Sequence, residues 1–167
     1  MQPVNIQPAF LLHLKQKNMK IFISLILLSF LIKVSAQSAE EQINQFLDNW
    51  HHAAATADED TFFGSMTQNA RYIGTDESEN WQRDELREWS KQFFEKDSAW
   101  DFRKKERHIY LYSDKKLAWF DETLETWMGI CRGSGVVILT EDGWKIQHYV
   151  LSVAVPNDKI DAYLELK

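Results

Sequence analysis

The chain has 167 residues and a formal net charge of −6, with 44% hydrophobic and 13% aromatic residues. That acidic balance excludes nucleic acid and anionic membrane as partners drawn in by bulk electrostatics. A single cysteine, Cys131, excludes an internal disulfide and a cysteine-based metal site.

In chain order, the first feature is Ile21 to Ile32, a 12-residue apolar run too short to cross a bilayer comfortably. Lys20 precedes it and Val34-Ser35-Ala36 follows, the small residues that a signal peptidase requires. Residues 1–36 are therefore expected to be a signal peptide, with Met19 its natural initiator and residues 1–18 an over-extended start. Lys33 leaves an uncleaved anchor open as the alternative, and no cysteine follows the run to carry a lipid. Four lysines and no acid leave with this leader, so the remaining 131 residues carry −10. They make one domain of ordinary size, residues 37–167, expected in the periplasm or the medium without stable membrane association after cleavage.

Ala39 to Ala57 reads as the first helix, with Ser38 as N-cap and Glu40-Glu41 suited to the positive end of its dipole. Ile43, Phe46, Leu47, Trp50, Ala54 and Ala57 recur at helical spacing and form one apolar stripe, with His51 on its edge. Glu59 to Met66 gives a second short helix, capped by Asp58. Arg71 to Gly74 reads as a short strand running into a polar loop, Thr75 to Trp81. Asp84 to Lys96 follows as a third helix with Leu86, Trp89, Phe93 and Phe94 inward.

From Trp100 the period changes to two. Trp100 to Tyr112 gives a strand or two, with Arg103 to Arg107 a solvated basic patch. In the next strand Trp119, Asp121, Thr123, Glu125 and Trp127 share one face, and Ala118, Phe120, Glu122 and Leu124 the other. Cys131 to Asn157 is an antiparallel hairpin about Glu141-Asp142-Gly143. A three-residue turn pairs Thr140 with Trp144 and sets Arg132 opposite Ser152, Ser134 opposite Val150, and Val136 opposite His148. Ile138 and Ile146 then join Arg132 on one face, while Gly133 and Gly135 on the other let the sheet bend. Lys159 to Leu166 adds a terminal turn of helix. Helices followed by a meander of long strands is an α+β layout.

The stretches WHHAAATADEDTFFGSM, ARYIGTDESENW, LAWFDETLET and CRGSGVVILTEDGWKIQHYVLSVAVPN together resemble the SnoaL-like branch of the nuclear transport factor 2-like superfamily. The resemblance spans Glu40 to Asn157 and is similar in its combination of elements to an exported bacterial subgroup. It implies a cone, a strongly curved antiparallel sheet packed on N-terminal helices, with a pocket inside and a homodimer across the sheet. It does not imply an activity, because the superfamily holds isomerases, cyclases, dehydratases, epoxide hydrolases, transport factors and association domains. The ketosteroid isomerase pattern fails at all three catalytic positions. The base falls on Gly74, the helix tyrosine on Trp50 and the late-strand acid near Arg132.

The expected ligand-binding set comes from four places: Trp50 and His51 on the first helix, and Tyr72, Asp76 and Trp81 around the first strand and its loop. Trp119 and Asp121 join from the preceding strand, and Arg132, Ser134 and His148 from the hairpin. Arg132 offers a bidentate fork for an anionic or carbonyl group, or is held in a structural ion pair by Asp121, Glu122 or Asp76. Asp121 is either its counter-ion or a general base, and Asp76 is either an acid/base group or turn chemistry. His51 is either an acid/base residue or a partner for a strand or a carboxylate. His51, Asp76 and Asp121 are thus the catalytic candidates. No metal site and no cofactor are expected, since no ligand spacing, phosphate loop or nucleophile elbow is present. Two classes stay open: a binding domain for a small apolar molecule, and a cofactor-free lyase, isomerase or hydrolase working by acid/base chemistry.

Overall fold

The computed structural model describes residues 37–166, so the expected signal peptide lies outside the described residues. From Ser38 onward the chain forms one compact unit. Helix α1 spans Ala39–Ala55, α2 Glu59–Gly64 and α3 Arg83–Phe94. Strands β1 Met66–Ile73 and β2 Asn80–Gln82 flank the polar loop, and β3 Arg103–Leu111, β4 Leu117–Thr126, β5 Gly129–Thr140 and β6 Gly143–Val153 follow. A 3-10 turn, Asn157–Lys159, leads into a last helix α4, Ile160–Leu164.

The caps are those the sequence announces. Ser38 accepts from Glu41 N at 3.1 Å while Glu41 Oε2 accepts from Ser38 N at 2.7 Å, a reciprocal box that stops α1 from fraying. Asp58 accepts from Thr61 N at 3.0 Å and starts α2. The apolar stripe of α1 is buried at Ile43, Leu47, Trp50 and Ala54, as its spacing requires.

The sheet is curved and unclosed, in the order β2-β1-β6-β5-β4-β3, which is the α+β cone. It is mixed rather than wholly antiparallel, because β1 runs parallel to β6. After β1 the chain turns through β2 and α3, crosses to the far edge at β3, and meanders back to β6 beside β1.

The β5–β6 hairpin is one residue tighter at its tip than the sequence reading has it. Thr140 pairs with Gly143, whose φ of 98° suits glycine, leaving Glu141 and Asp142 as the turn. A bulge then inserts Gln147 between the pairs Val136–His148 and Val137–Ile146. The two offsets cancel, so Arg132–Ser152, Ser134–Val150 and Val136–His148 pair as expected. Ile146, expected beside Arg132, instead lies fully buried on the opposite face.

Which face is the inner one corrects the central expectation about Arg132. Cys131, Gly133, Gly135 and Val137 of β5 are buried with Phe120, Glu122 and Leu124 of β4 and Tyr149 and Leu151 of β6. Arg132 is exposed on the outer face. The glycines face inward because large neighbours occupy their space: a Cβ at Gly133 would collide with Tyr149 and Glu122. At Gly135 it would fall 2.5 Å from the His148 carbonyl and 2.9 Å from the Phe120 ring. Arg107 is the second correction. Read as part of a solvated patch, its side chain is only 1% exposed, because alternation along β3 turns it inward with Ile109 and Leu111.

Gly135→Ala is expected to destabilise the fold by about 1–3 kcal/mol, since the carbonyl that a methyl would strike cannot rotate away. A drop in the urea midpoint at unchanged m-value checks this, and an unmoved midpoint contradicts it.

Candidate functional site

Two places on the inner side stand out, and they differ in kind. The first is an aromatic cavity of about 170 Å3 between β1, β6, α3, the 99–102 segment and the β4–β5 turn. Its size is close to that of a core cavity able to hold one benzene, about 150 Å3. Along one wall the rings touch in series. Trp81 stacks on Trp89 at 4.6 Å, Trp89 meets Phe93 at 5.3 Å, Phe93 meets Trp100 at 6.3 Å, and Trp100 stacks near Phe102 at 6.4 Å. Tyr72, Leu151, Trp127 and Met128 form the rest, with Trp127 83% exposed at the rim. A Thr75 Oγ1–Met128 Sδ contact of 3.8 Å joins the two loops at the mouth.

Glu79 is the one carboxylate in this lining. The loop that carries it is closed by Gly74 N donating to the Glu79 carbonyl at 3.0 Å and Glu79 N to the Asp76 carbonyl at 3.0 Å. A Cβ at Gly74 would collide with the Glu79 carboxylate, so glycine there lets the acid lie against the backbone. Tyr72 is buried, and its phenol is pushed well up from its ordinary value by that burial, with the Glu79 charge adding to it. Its hydroxyl therefore stays a neutral hydrogen-bond donor.

The second place is the Glu122 carboxylate, 1% exposed in the core. His51 Nε2 lies 2.8 Å from Oε1, Tyr149 donates to Oε1 at 3.2 Å, and Arg107 Nε donates to Oε2 at 2.9 Å. Arg107 Nη2 also approaches Oε2 at 2.7 Å, off the hydrogen-bond axis, so this contact is coulombic. An ionised carboxylate only accepts, so His51 Nε2 carries the proton it offers. Burial alone would raise the Glu122 pKa, but the His51 and Arg107 interactions outweigh it and bring it down to about 2. Arg107 Nη1 reaches on to Asp48 Oδ1 at 2.7 Å and the Asn44 carbonyl at 3.1 Å, tying β3 to α1. Partial burial works against ionisation of Asp48, yet Lys104 and Arg107 together hold it below the usual carboxylate range.

Of the residues expected in a pocket, Tyr72 and Trp81 line the aromatic cavity. Trp50 is buried against Phe62 and Tyr149 and does not line it, and its indole N–H has no partner among the described residues. His51 is 7% exposed and edges a separate surface depression with Asp48, Asp101, Phe102 and Lys104. Asp76 is exposed and accepts from Ser78 N at 2.9 Å and from Ser78 Oγ at 2.5 Å, which is turn chemistry. Asp121, Trp119, Arg132, Ser134 and His148 all share the outer face, by the alternation that puts Glu122, Gly133 and Tyr149 inside. There Asp121 meets His108 at 3.2 Å and Trp119 stacks on Tyr110 at 5.7 Å. Arg132 has no carboxylate within ion-pair distance among the described residues, so neither a pocket fork nor a buried ion pair describes it.

Sequence reasoning passed over Trp89, Phe93, Trp100 and Phe102 as a lining, and Glu122 and Arg107 as a pair, whereas Glu79, like Asp76, was expected on a loop at the mouth. Glu122 carried a visible signal: a carboxylate on the strand face it shares with Ala118, Phe120 and Leu124. Among the described residues no three His, Cys, Asp or Glu gather as a metal site.

The SnoaL-like domain family matches residues 43–156. The chain is similar to the solved structure of a protein from Parabacteroides distasonis provisionally named a ketosteroid isomerase, at 15% identity and TM-score 0.59 over 74% of this chain and 94% of that one. It is similar also to a provisionally named dehydratase of the NTF2-like family from Streptomyces avermitilis, at 15% identity and TM-score 0.59 over 70% and 96%. An NTF2-like protein of unknown function from Pseudomonas putida matches at 10% identity and TM-score 0.58 over 74% and 94%. At these identities the likeness is one of fold. No curated protein sequence is significantly similar.

Glu122 ties stability to pH with a definite sign. Its folded pKa lies below the ordinary 4.5, so the contribution is complete above that value and is lost as pH falls through about 2. The gap corresponds to about 3 kcal/mol. Glu122→Gln is expected to lose about 3–5 kcal/mol at neutral pH, by leaving Arg107 underpaired, and to show a flatter stability profile across the acid range. Denaturant unfolding at several pH values checks both, and a variant as stable as the parent with the same acid profile contradicts them.

Proposed function

The chain belongs to the SnoaL-like domain family, and on that footing we propose that it is an exported small-molecule-binding domain whose ligand is a compact, ring-bearing apolar molecule. The observation that carries this reading is the unbroken series of rings from Trp81 to Phe102 around a cavity of about 170 Å3. Apolar residues that fill a core against one another leave no such space, whereas these rings form a continuous wall beside a void with a mouth. Arg132 takes no part in binding, since it lies on the other side of the sheet.

A second reading, acid/base turnover of the bound molecule, has one observation behind it. His51 is oriented by an ionised carboxylate and edges a depression, the arrangement of a positioned base. Two facts weigh against it: His51 is not in the lining of the aromatic cavity, and Glu122 is sealed by three donors. Binding is the better-supported reading. Recovery of bound molecules unchanged is its expected outcome, and their isomerisation, hydrolysis or dehydration would favour the enzyme.

The leader-like composition of residues 1–36 supports export, to the periplasm or the medium. The outer face supports a homodimer: Trp119 and Tyr110 stand exposed beside half-buried Val136, Ile138 and Val150, an apolar strip suited to its own copy. An N-terminus near Gln37 in the exported product and a dimer by sedimentation are expected. A cytoplasmic product that retains Met19 contradicts export, and a monomer contradicts the second.

Thermal shift with compact ring probes, indole first, tests the central reading. A bound probe at a hundredfold excess over its Kd stabilises by about 2.7 kcal/mol, a rise of several degrees. Ala99→Phe, which fills the cavity from its lining, is expected to cancel the rise. If no ring probe moves the parent, the reading is wrong.

A further inference from the structure

We propose that the aromatic cavity selects organic cations, small quaternary or alkylated ammonium groups, over neutral and anionic molecules of the same shape. This rests on the binding reading above and names the chemical class of its ligand.

Three features of the lining point the same way. Its rings include four indoles, Trp81, Trp89, Trp100 and Trp127, and an indole face is the strongest aromatic attractor of a cation. Its one charged group is Glu79, which makes no ion pair among the described residues. No lysine, arginine or histidine lines the cavity.

Glu79 is built into place rather than left to wander. Its loop is closed by two backbone hydrogen bonds, its Oε2 accepts from Asp76 N at 3.2 Å, and Gly74 clears the space its carboxylate occupies. One oxygen is thereby tethered while the other, Oε1, has no partner among the described residues. A carboxylate beside Trp and Tyr rings at an apolar mouth is unmatched by a neutral guest and repels an anionic one. A cation satisfies it and the ring faces together.

The shape of the guest follows from the walls. A bare ammonium or a metal ion carries a hydration shell that indoles cannot replace. A methylated ammonium has already exchanged its N–H donors for methyl groups that pack against rings. The phenol of Tyr72, held neutral by burial and by the nearby Glu79 charge, adds a donor for a hydroxyl or carbonyl elsewhere on the same molecule.

The test is a titration of tryptophan fluorescence and of melting temperature with benzyltrimethylammonium, with its neutral isostere in which carbon replaces the quaternary nitrogen, and with an anion of like size, phenylacetate. The cation is expected to bind about tenfold or more tighter than the isostere, with the anion weakest. Glu79→Gln, which keeps the shape and removes the charge, is expected to shrink that gap several-fold. Trp127→Ala, at the exposed rim, is expected to weaken the cation more than the isostere. Equal binding of cation and isostere, or a gap unchanged in Glu79→Gln, overturns the cation inference and leaves the apolar binding reading standing. If none of these molecules, and no neutral ring probe, changes fluorescence or melting, the binding reading falls and takes this one with it.

Discussion

The Glu122 carboxylate, ionised in the core and answered by His51, Tyr149 and Arg107, is the interaction on which the rest of the structure depends. Taking a carboxylate and a guanidinium out of water costs several kcal/mol each, and hydrogen bonds on both oxygens are what offset it. Every partner comes from a different element: His51 from α1, Arg107 from β3 and Tyr149 from β6. Hydrophobic burial would let α1 slide or rotate on the sheet at small cost. A directed charge cluster gives it one position, with Arg107 extending the tie through Asp48 and Asn44 along the helix.

That cluster also sets the cavity. Tyr149, which bonds Glu122, lies 5.4 Å from Tyr72, and Tyr72 is a wall of the cavity. The two acids of the inner side therefore do opposite work. Glu122 is saturated, sealed and held far below the ordinary carboxylate range, so it neither gives nor takes a proton near neutrality. Glu79 sits at the mouth with one oxygen uncommitted and rings for neighbours. The first holds the frame, and the second is available to a guest.

The elements were legible because their signals are local: the Ser38 and Asp58 caps, the stripe of α1, and the alternation of β4 and β5. The orientation of the hairpin was not, because alternation separates two faces without saying which is inner. Arg132 among apolar neighbours looked like the pocket side, yet the half-buried Val136 and Val150 beside it belong to the outer face. Gly133 and Gly135 held the answer, since glycines in a strand leave room for large side chains from adjacent strands, here Tyr149, Glu122 and Phe120. Arg107 was hidden by its company, four charged neighbours in a row, although its parity with Ile109 and Leu111 turns it inward. The cavity was legible only in part: the family resemblance implied a pocket and Tyr72 and Trp81 were expected in it, but Trp89, Trp100 and Trp127 come from different segments and their convergence is a tertiary fact.

The most direct measurement is a carbon-13 NMR titration of the side-chain carboxyl of Glu122. It is expected to show an ionised shift that stays nearly constant from about pH 7 down to about pH 3. A Glu122 carboxyl that titrates near its ordinary value of 4.5 would mean that the charge cluster does not hold the core together.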